Sequence, residues 1–281
     1  MLSNPKVMIE SGTSNRTSNL KLQTLTETMD IVILGTGNTA TVLGRKLAAA
    51  GHRIVQVFGR DSSAASRLAY ELNTESTNYW NVVNREADIY ILAVSDIAIE
   101  EMIKELRLPD KTVVHTAASV SKNILKATST HFGVFYPLQS LKKEIGYSPD
   151  IPIIIDASDE ATMKELDKLA HSISDKVMEA DDDQRMKLHL AAVFCNNFVN
   201  HLYALAETYC KKEHLDFKLL LPLIRETAAR LDDIPASASQ TGPAIRNDQN
   251  TIARHLELLA KYPELKRVYE VFTESIYASR V

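Results

Sequence analysis

From Asp30 to about residue 182 the chain alternates short apolar runs with stretches whose apolar positions recur every three or four residues. The apolar runs, 30–34, 53–58, 87–94, 112–117, 132–138, 151–157 and 176–181, are long enough for strands and too short for helices. Amphipathic stretches at 40–50, 63–72, 96–106 and 159–174 separate them, and this alternation predicts a mostly parallel sheet with crossover helices. Gly51 stands where the first helix needs a C-terminal cap. After residue 182 the pattern changes. Residues 183–213 contain neither proline nor glycine and keep helical periodicity throughout. Further helical stretches follow at 217–231, kinked or started at Pro222, and at 251–262 and 263–279. The fold class expected is α/β: a Rossmann-type, mostly parallel sheet domain over 29–182, then an all-helical domain over 183–281. Residues 1–28 are mostly polar and read as a disordered tail, or as the product of a start upstream of Met29.

Composition narrows the picture. With 281 residues, 45% of them hydrophobic, the chain has material for two packed domains. A net charge of −4 without a basic block argues against nucleic acid or an anionic membrane as partner. No run reaches the ~18 apolar residues of a membrane span, and the N-terminus lacks a signal peptide's apolar core. Cys195 and Cys210 fall on one predicted helix, ~22 Å apart at its usual rise, too far to pair. A cytoplasmic protein is expected.

The sharpest motif is Gly35-Thr36-Gly37-Asn38-Thr39-Ala40, which fits G-x-G-x-x-G/A between a strand and a helix. Gly35 permits the tight turn, Gly37 lets the backbone approach a pyrophosphate, and Ala40 lets helix pack on strand. The helix start offers amides and a positive dipole end to the phosphates. NAD enzymes place Asp or Glu at the end of the second strand for the ribose hydroxyl. Here Gly59 stands there, followed by Arg60, Asp61, Ser62 and Ser63. Arg60 suits a 2′-phosphate and the serines add hydroxyl donors, which points to NADP(H). Asp61 is the competing reading, as a ribose carboxylate one residue along.

Ligands of open α/β sheets lie beyond the carboxyl ends of the strands. That singles out Ala93–Asp96, with Val94 and Ser95 beside the coenzyme, and His115–Ser119, with Ser119 toward the substrate; ordinary loop or capping duty is the competing role for both serines, and a half-buried strand histidine with a satisfied hydrogen bond that for His115. On an unbroken helix His189, Asn196, Asn200 and Tyr203 share one stripe. His189 would act as general acid there and Asn196 would hold a carbonyl or imine. Arg185 and Glu207 continue the stripe, so a solvent face or subunit seam competes with that role. Asp248 reads as a helix cap near Thr251, and Arg246 beside it as a candidate for an anionic group. No metal-ligand spacing, nucleophile elbow or Walker loop occurs.

Together "ILGTGNTATVLGRKLAAAGH", "FGRD", "ADIYILAVSD", "VVHTAASVS", "FYPLQSL", "LHLAAVFCNNFVNHLYALAE" and "TGPAIRNDQNTIARHL" carry a resemblance. The chain resembles the bacterial family of Rossmann-type NADP oxidoreductases with a C-terminal helical domain of unknown function. That family is similar to pyrroline-5-carboxylate reductase, the β-hydroxyacid dehydrogenases and deazaflavin-dependent NADP reductases. The resemblance implies the fold, an NADP(H) coenzyme and a dimer, but fixes no substrate; a small-molecule substrate is expected, and the long apolar faces of the helical half suit a homodimer joined through it. In the hydroxyacid dehydrogenases a catalytic lysine precedes Asn-Asn by three residues; here Val193 occupies that position before Asn196 and Asn197. Either His189 takes over or the chemistry differs. The reading is an NADP(H)-dependent oxidoreductase moving hydride to or from a small polar carbonyl or imine. The alternative is a non-catalytic NADP-binding sensor or assembly protein.

Overall fold

The computed structural model describes residues 27–146 and 149–279; the predicted N-terminal tail falls almost wholly outside them. The chain divides into two compact units that meet between His189 and Leu190.

The first unit holds eight strands: β1 (Asp30–Leu34), β2 (Arg53–Phe58), β3 (Glu75–Thr77), β4 (Ile89–Leu92), β5 (Thr112–His115), β6 (His131–Pro137), β7 (Ile153–Ala157) and β8 (Val177–Glu179). They form one sheet in the order β3-β2-β1-β4-β5-β6-β7-β8. All pairings are parallel except β6 with β7. The first six strands thus have the doubly wound order, with its reversal between β1 and β4. The helices are α1 (Asn38–Ala49), α2 (Ser62–Glu71), α3 (Asp96–Glu105) and α4 (Glu160–Ile173).

The period of two along each strand sorts its side chains onto two faces. Ile31, Ile33, Ile89, Ile91, Val114, Phe135, Ile153 and Ile155 enter one core, with Leu43 and Leu47 of α1 and Leu166 and Leu169 of α4. Val32, Leu34, Tyr90, Leu92, Val113 and Phe132 enter the other, with Ile99 and Met102 of α3. Each fully enclosed aliphatic side chain contributes about 1.5–3 kcal/mol. Burial on both faces explains why these strands read as continuous apolar runs. β3 has no such run, and the sequence pattern passes it over; backbone pairing to β2 holds it at the edge.

In α5 (Asp182–Ala192), a π-helical stretch (Val193–Phe198) and α6 (Val199–Lys212), helical backbone continues without a break. The divide between the units falls inside this run. The second unit continues with α7 (Leu221–Ala229), where Pro222 starts the helix rather than kinking it, then α8 (Pro243–Arg246), α9 (Gln249–Leu258) and α10 (Pro263–Ala278). Asp248 caps α9, accepting the Thr251 amide at 3.0 Å and its hydroxyl at 2.7 Å. Both cysteines are unpaired, Cys195 exposed and Cys210 buried. No helix among the described residues is long and apolar enough to cross a membrane.

Candidate functional site

The strand-to-helix turn after β1 is shaped for close contact with a ligand. Gly35 has φ +133°, and a Cβ there would sit 2.2 Å from the Ala93 carbonyl oxygen. Only glycine avoids that collision and adopts that backbone without strain. The Gly35 amide donates to Phe58 O at 2.8 Å, which ties the turn to the end of β2. Gly37 caps α1 with no side chain, and a Cβ on it would meet nothing within 4 Å. The first helical hydrogen bond of α1 runs from Thr41 N to Gly37 O, so the preceding amides remain available, and no acidic residue stands in the first turn. An open cradle of amides at a positive helix end is what a pyrophosphate needs.

That turn forms one wall of a cleft of about 490 Å³, which also takes in Gly59, Arg60, Asp61, Val94, Ser95 and Met102. The structure therefore brings together the glycine turn, the end of β2 and the end of β4. Arg60 and Asp61 differ in how they are engaged. Asp61 caps α2, one carboxylate oxygen accepting the Ala64 amide at 3.0 Å. Arg60 is exposed and pairs with the exposed Glu101 at 2.9 Å. An exposed pair of this kind is worth little and yields readily to a phosphate. Ser62 and Ser63 open α2 and are both exposed.

At the ends of β4 and β5, the Ser119 hydroxyl donates to the Asp96 carboxylate and joins the two loops. His115, a ligand candidate by position, is fully buried: Nδ1 accepts the Ala117 amide at 3.2 Å, and Nε2 has no partner.

Two expectations for the long helix are corrected. First, Val193–Phe198 is π-helical rather than α-helical, so the uniform 100° step behind the predicted stripe does not hold through it. Asn196 lies exposed within that wide turn. Second, Arg185 does not continue a solvent stripe. It is 1% exposed, with Nε on Ala118 O at 3.0 Å and Nη2 on Val120 O and Asp182 Oδ1, both at 2.7 Å. Its guanidinium pins the loop that carries Ser119. The i, i+3 pairing with Asp182 was the signal available in the sequence.

His189 ends the first unit and meets a residue the sequence reading did not select. Tyr136, on β6, lies 3.1 Å through its hydroxyl from His189 Nδ1, with the rings edge-on at 6.2 Å. Burial pushes the Tyr136 phenol above its ordinary pKa, and the charge of Arg185 pulls against that rise.

Strand order, glycine turn and cleft define a dinucleotide-binding oxidoreductase fold. Comparison with known proteins makes this specific. Residues 30–119 match the family model "NADP oxidoreductase coenzyme F420-dependent", and residues 151–276 match a domain of unknown function, DUF2520. A solved structure, "putative NADP oxidoreductase BF3122 from Bacteroides fragilis", is 40% identical, with a TM-score of 0.84 over 89% of this chain and 98% of that one. The chain belongs to this family of NADP oxidoreductases, and its coenzyme is NADP(H). Protein TM1727 from Thermotoga maritima is 21% identical, with a TM-score of 0.67 over 89% of this chain and 98% of that one. A reductive aminase from Aspergillus terreus, in complex with NADPH and ethyl levulinate, is 15% identical, with a TM-score of 0.63 over 90% and 95%. These two share the fold. No curated protein matches the chain.

Proposed function

We propose that the protein moves hydride between NADP(H) and a small polar carbonyl or imine compound, as a cytoplasmic homodimer joined through the helical domain. The observation that carries the proposal is the cleft of about 490 Å³, in which the glycine turn, Arg60 and the Val94–Ser95 loop end converge. Amides of residues 36–40 would hold the pyrophosphate, Arg60 with Ser62 and Ser63 the 2′-phosphate, and Val94 and Ser95 the nicotinamide half. When bound, the reduced coenzyme supplies the hydride. Ser119 and His189 are assigned to the reacting group; Asn196 carries the same assignment from its sequence position alone.

The homodimer is supported by the second unit's poverty of core. Among its described residues the buried apolar side chains are Cys210, Ala244 and Leu259, while Leu190, Phe194, Phe198, Leu223 and Phe272 stand exposed. A helical unit this thinly packed needs a partner surface, and a second copy of the same helices supplies a matching one. Two unpaired cysteines suit a reducing compartment.

Calorimetric titration with NADPH and NADH, on the wild type and Arg60→Ala, tests the coenzyme assignment. Charge-assisted hydrogen bonds worth about 1.5–3 kcal/mol predict a roughly 10- to 100-fold loss of NADPH affinity. NADH binding should not change. Equal losses for both coenzymes would remove Arg60 from the phosphate site. Tight NADPH binding without turnover on broad panels of imines and oxo acids would favour the sensor reading, which Val193 supports.

A further inference from the structure

The sequence leaves the proton donor open, because Val193 stands at the position of the dehydrogenase lysine. The structure offers a candidate, Tyr136, that lies within the quoted "FYPLQSL" but to which the sequence assigns no role. Parallel pairing sets His115 of β5 opposite Val134 of β6. Tyr136, two residues on, therefore stands about 7 Å beyond that level, at the end of the sheet where the glycine turn and the Ser119 loop also lie. Its side chain is half-buried, as is that of His189. His189 and the buried Arg185 are one helical turn apart on α5.

We propose that Tyr136 gives the proton that completes reduction of the substrate, with His189 as its relay to water and Arg185 stabilising the phenolate. The proposal rests on the hydride-transfer reading above. As hydride reaches the substrate carbon, the π electrons of C=N or C=O move to the heteroatom, which takes the proton from Tyr136 Oη. The phenolate left behind takes a proton from His189 Nδ1 while Nε2 takes one from solvent; the ring is left as its Nε2–H tautomer and returns to the Nδ1–H form by proton exchange with water, which closes the cycle. The phenol oxygen can accept from His189 Nδ1–H and donate outward at the same time, which polarises its O–H toward the substrate.

The surrounding charges suit this role. Arg185 is fully enclosed, its Nη1 has no hydrogen-bond partner, and that atom lies 4.0 Å from Asp156 Oδ2. Asp156 is meanwhile engaged by Lys122 Nζ at 2.5 Å, and Asp182 by Arg185 Nη2. His115, the buried ring at the end of β5, has its pKa pushed well down. It is thus uncharged near neutrality and adds no competing charge.

The test uses two probes, with the full-length protein and NADPH. The first is 3,4-dihydroisoquinoline at a pH above its own pKa, a neutral imine that must receive a proton. The second is its N-methyl iminium salt, which needs none. Tyr136→Phe should bind NADPH as the wild type does and reduce the neutral imine about 10²- to 10⁴-fold more slowly. It should reduce the iminium within threefold of the wild-type rate. In the coenzyme-free protein the same substitution should move the ¹⁵N resonance of His189 Nδ1.

Retained turnover of both probes overturns the donor assignment, as does equal loss of both with coenzyme binding intact. An unmoved His189 resonance overturns the pairing. A wild type that reduces neither these probes nor a broad panel of small polar imines and oxo acids instead removes the hydride-transfer reading on which the proposal stands.

Discussion

His115 ends β5 with its ring enclosed on every side and only one nitrogen engaged. Burial, with a smaller contribution from the Arg185 charge, lowers its pKa from 6.5 to about 4. The unfolded chain therefore takes up a proton in acid that the folded chain refuses. Stability is complete above the unfolded value and is lost as pH falls from about 6.5 toward 4. The full loss is roughly 3 kcal/mol. Urea unfolding of the wild type and His115→Gln at pH 7 and pH 5 checks this: the wild type should weaken more between the two. Parallel losses would show that the ring is protonated in place without penalty. The sequence offers His115 two roles, a strand histidine with a satisfied hydrogen bond or a ligand neighbour, and its burial fits the first more fully than expected. Tyr136 reads as an aromatic in an apolar run, and its hydroxyl and His189 partner emerge only when β6 and α5 are brought together.

Among the elements, α4 depends on its first residues. Asp159 accepts the Thr162 amide at 2.9 Å and hydroxyl at 2.7 Å, and the Ser158 hydroxyl at 2.8 Å. The Thr162 bonds, assisted by Ser158 and His131, hold its carboxyl far below the usual carboxylate range. Asp159→Ala should cost about 1–2 kcal/mol, measured as a drop in the denaturation midpoint at pH 7, whereas Asp159→Asn should retain most of it. An unchanged midpoint for Asp159→Ala would mean the helix start is held by packing of Leu166 and Leu169 alone. The segment from residue 182 to 213 shows a limit of reading elements from periodicity. The sequence has no proline or glycine there to announce an irregularity, so a uniform 100° step places His189, Asn196 and Asn200 together. The turn at Val193–Phe198 is wider than that step assumes. Such wide turns are a recurring feature of functional sites in helices.

For the whole molecule, the apolar faces of the helical half lead to a prediction about assembly. Sedimentation equilibrium should give twice the chain mass of 31.3 kDa. Phe194→Asp combined with Phe198→Asp should shift the protein to monomer and lower the helical melting transition, leaving NADPH binding to the first unit intact. A monomeric wild type with a cooperative helical melt would overturn the homodimer. The physical need is plain in the burial pattern, since a helix with an exposed apolar stripe gains stability chiefly by packing that stripe.

The sequence by itself determined the alternation of helices with every strand of the first half but β3, the glycine turn, the NADP(H) class and the change to helix after residue 182. These are local matters: hydrophobic period, turn stereochemistry at Gly35 and Gly37, and a missing carboxylate at Gly59 each act within a few neighbours along the chain. Only the tertiary structure decided that Arg185 is buried, that β6 and β7 run antiparallel, and that Tyr136 faces His189. Each of these depends on residues distant in sequence arriving at the same place, where burial and hydrogen bonding set the role of a side chain more firmly than its type does.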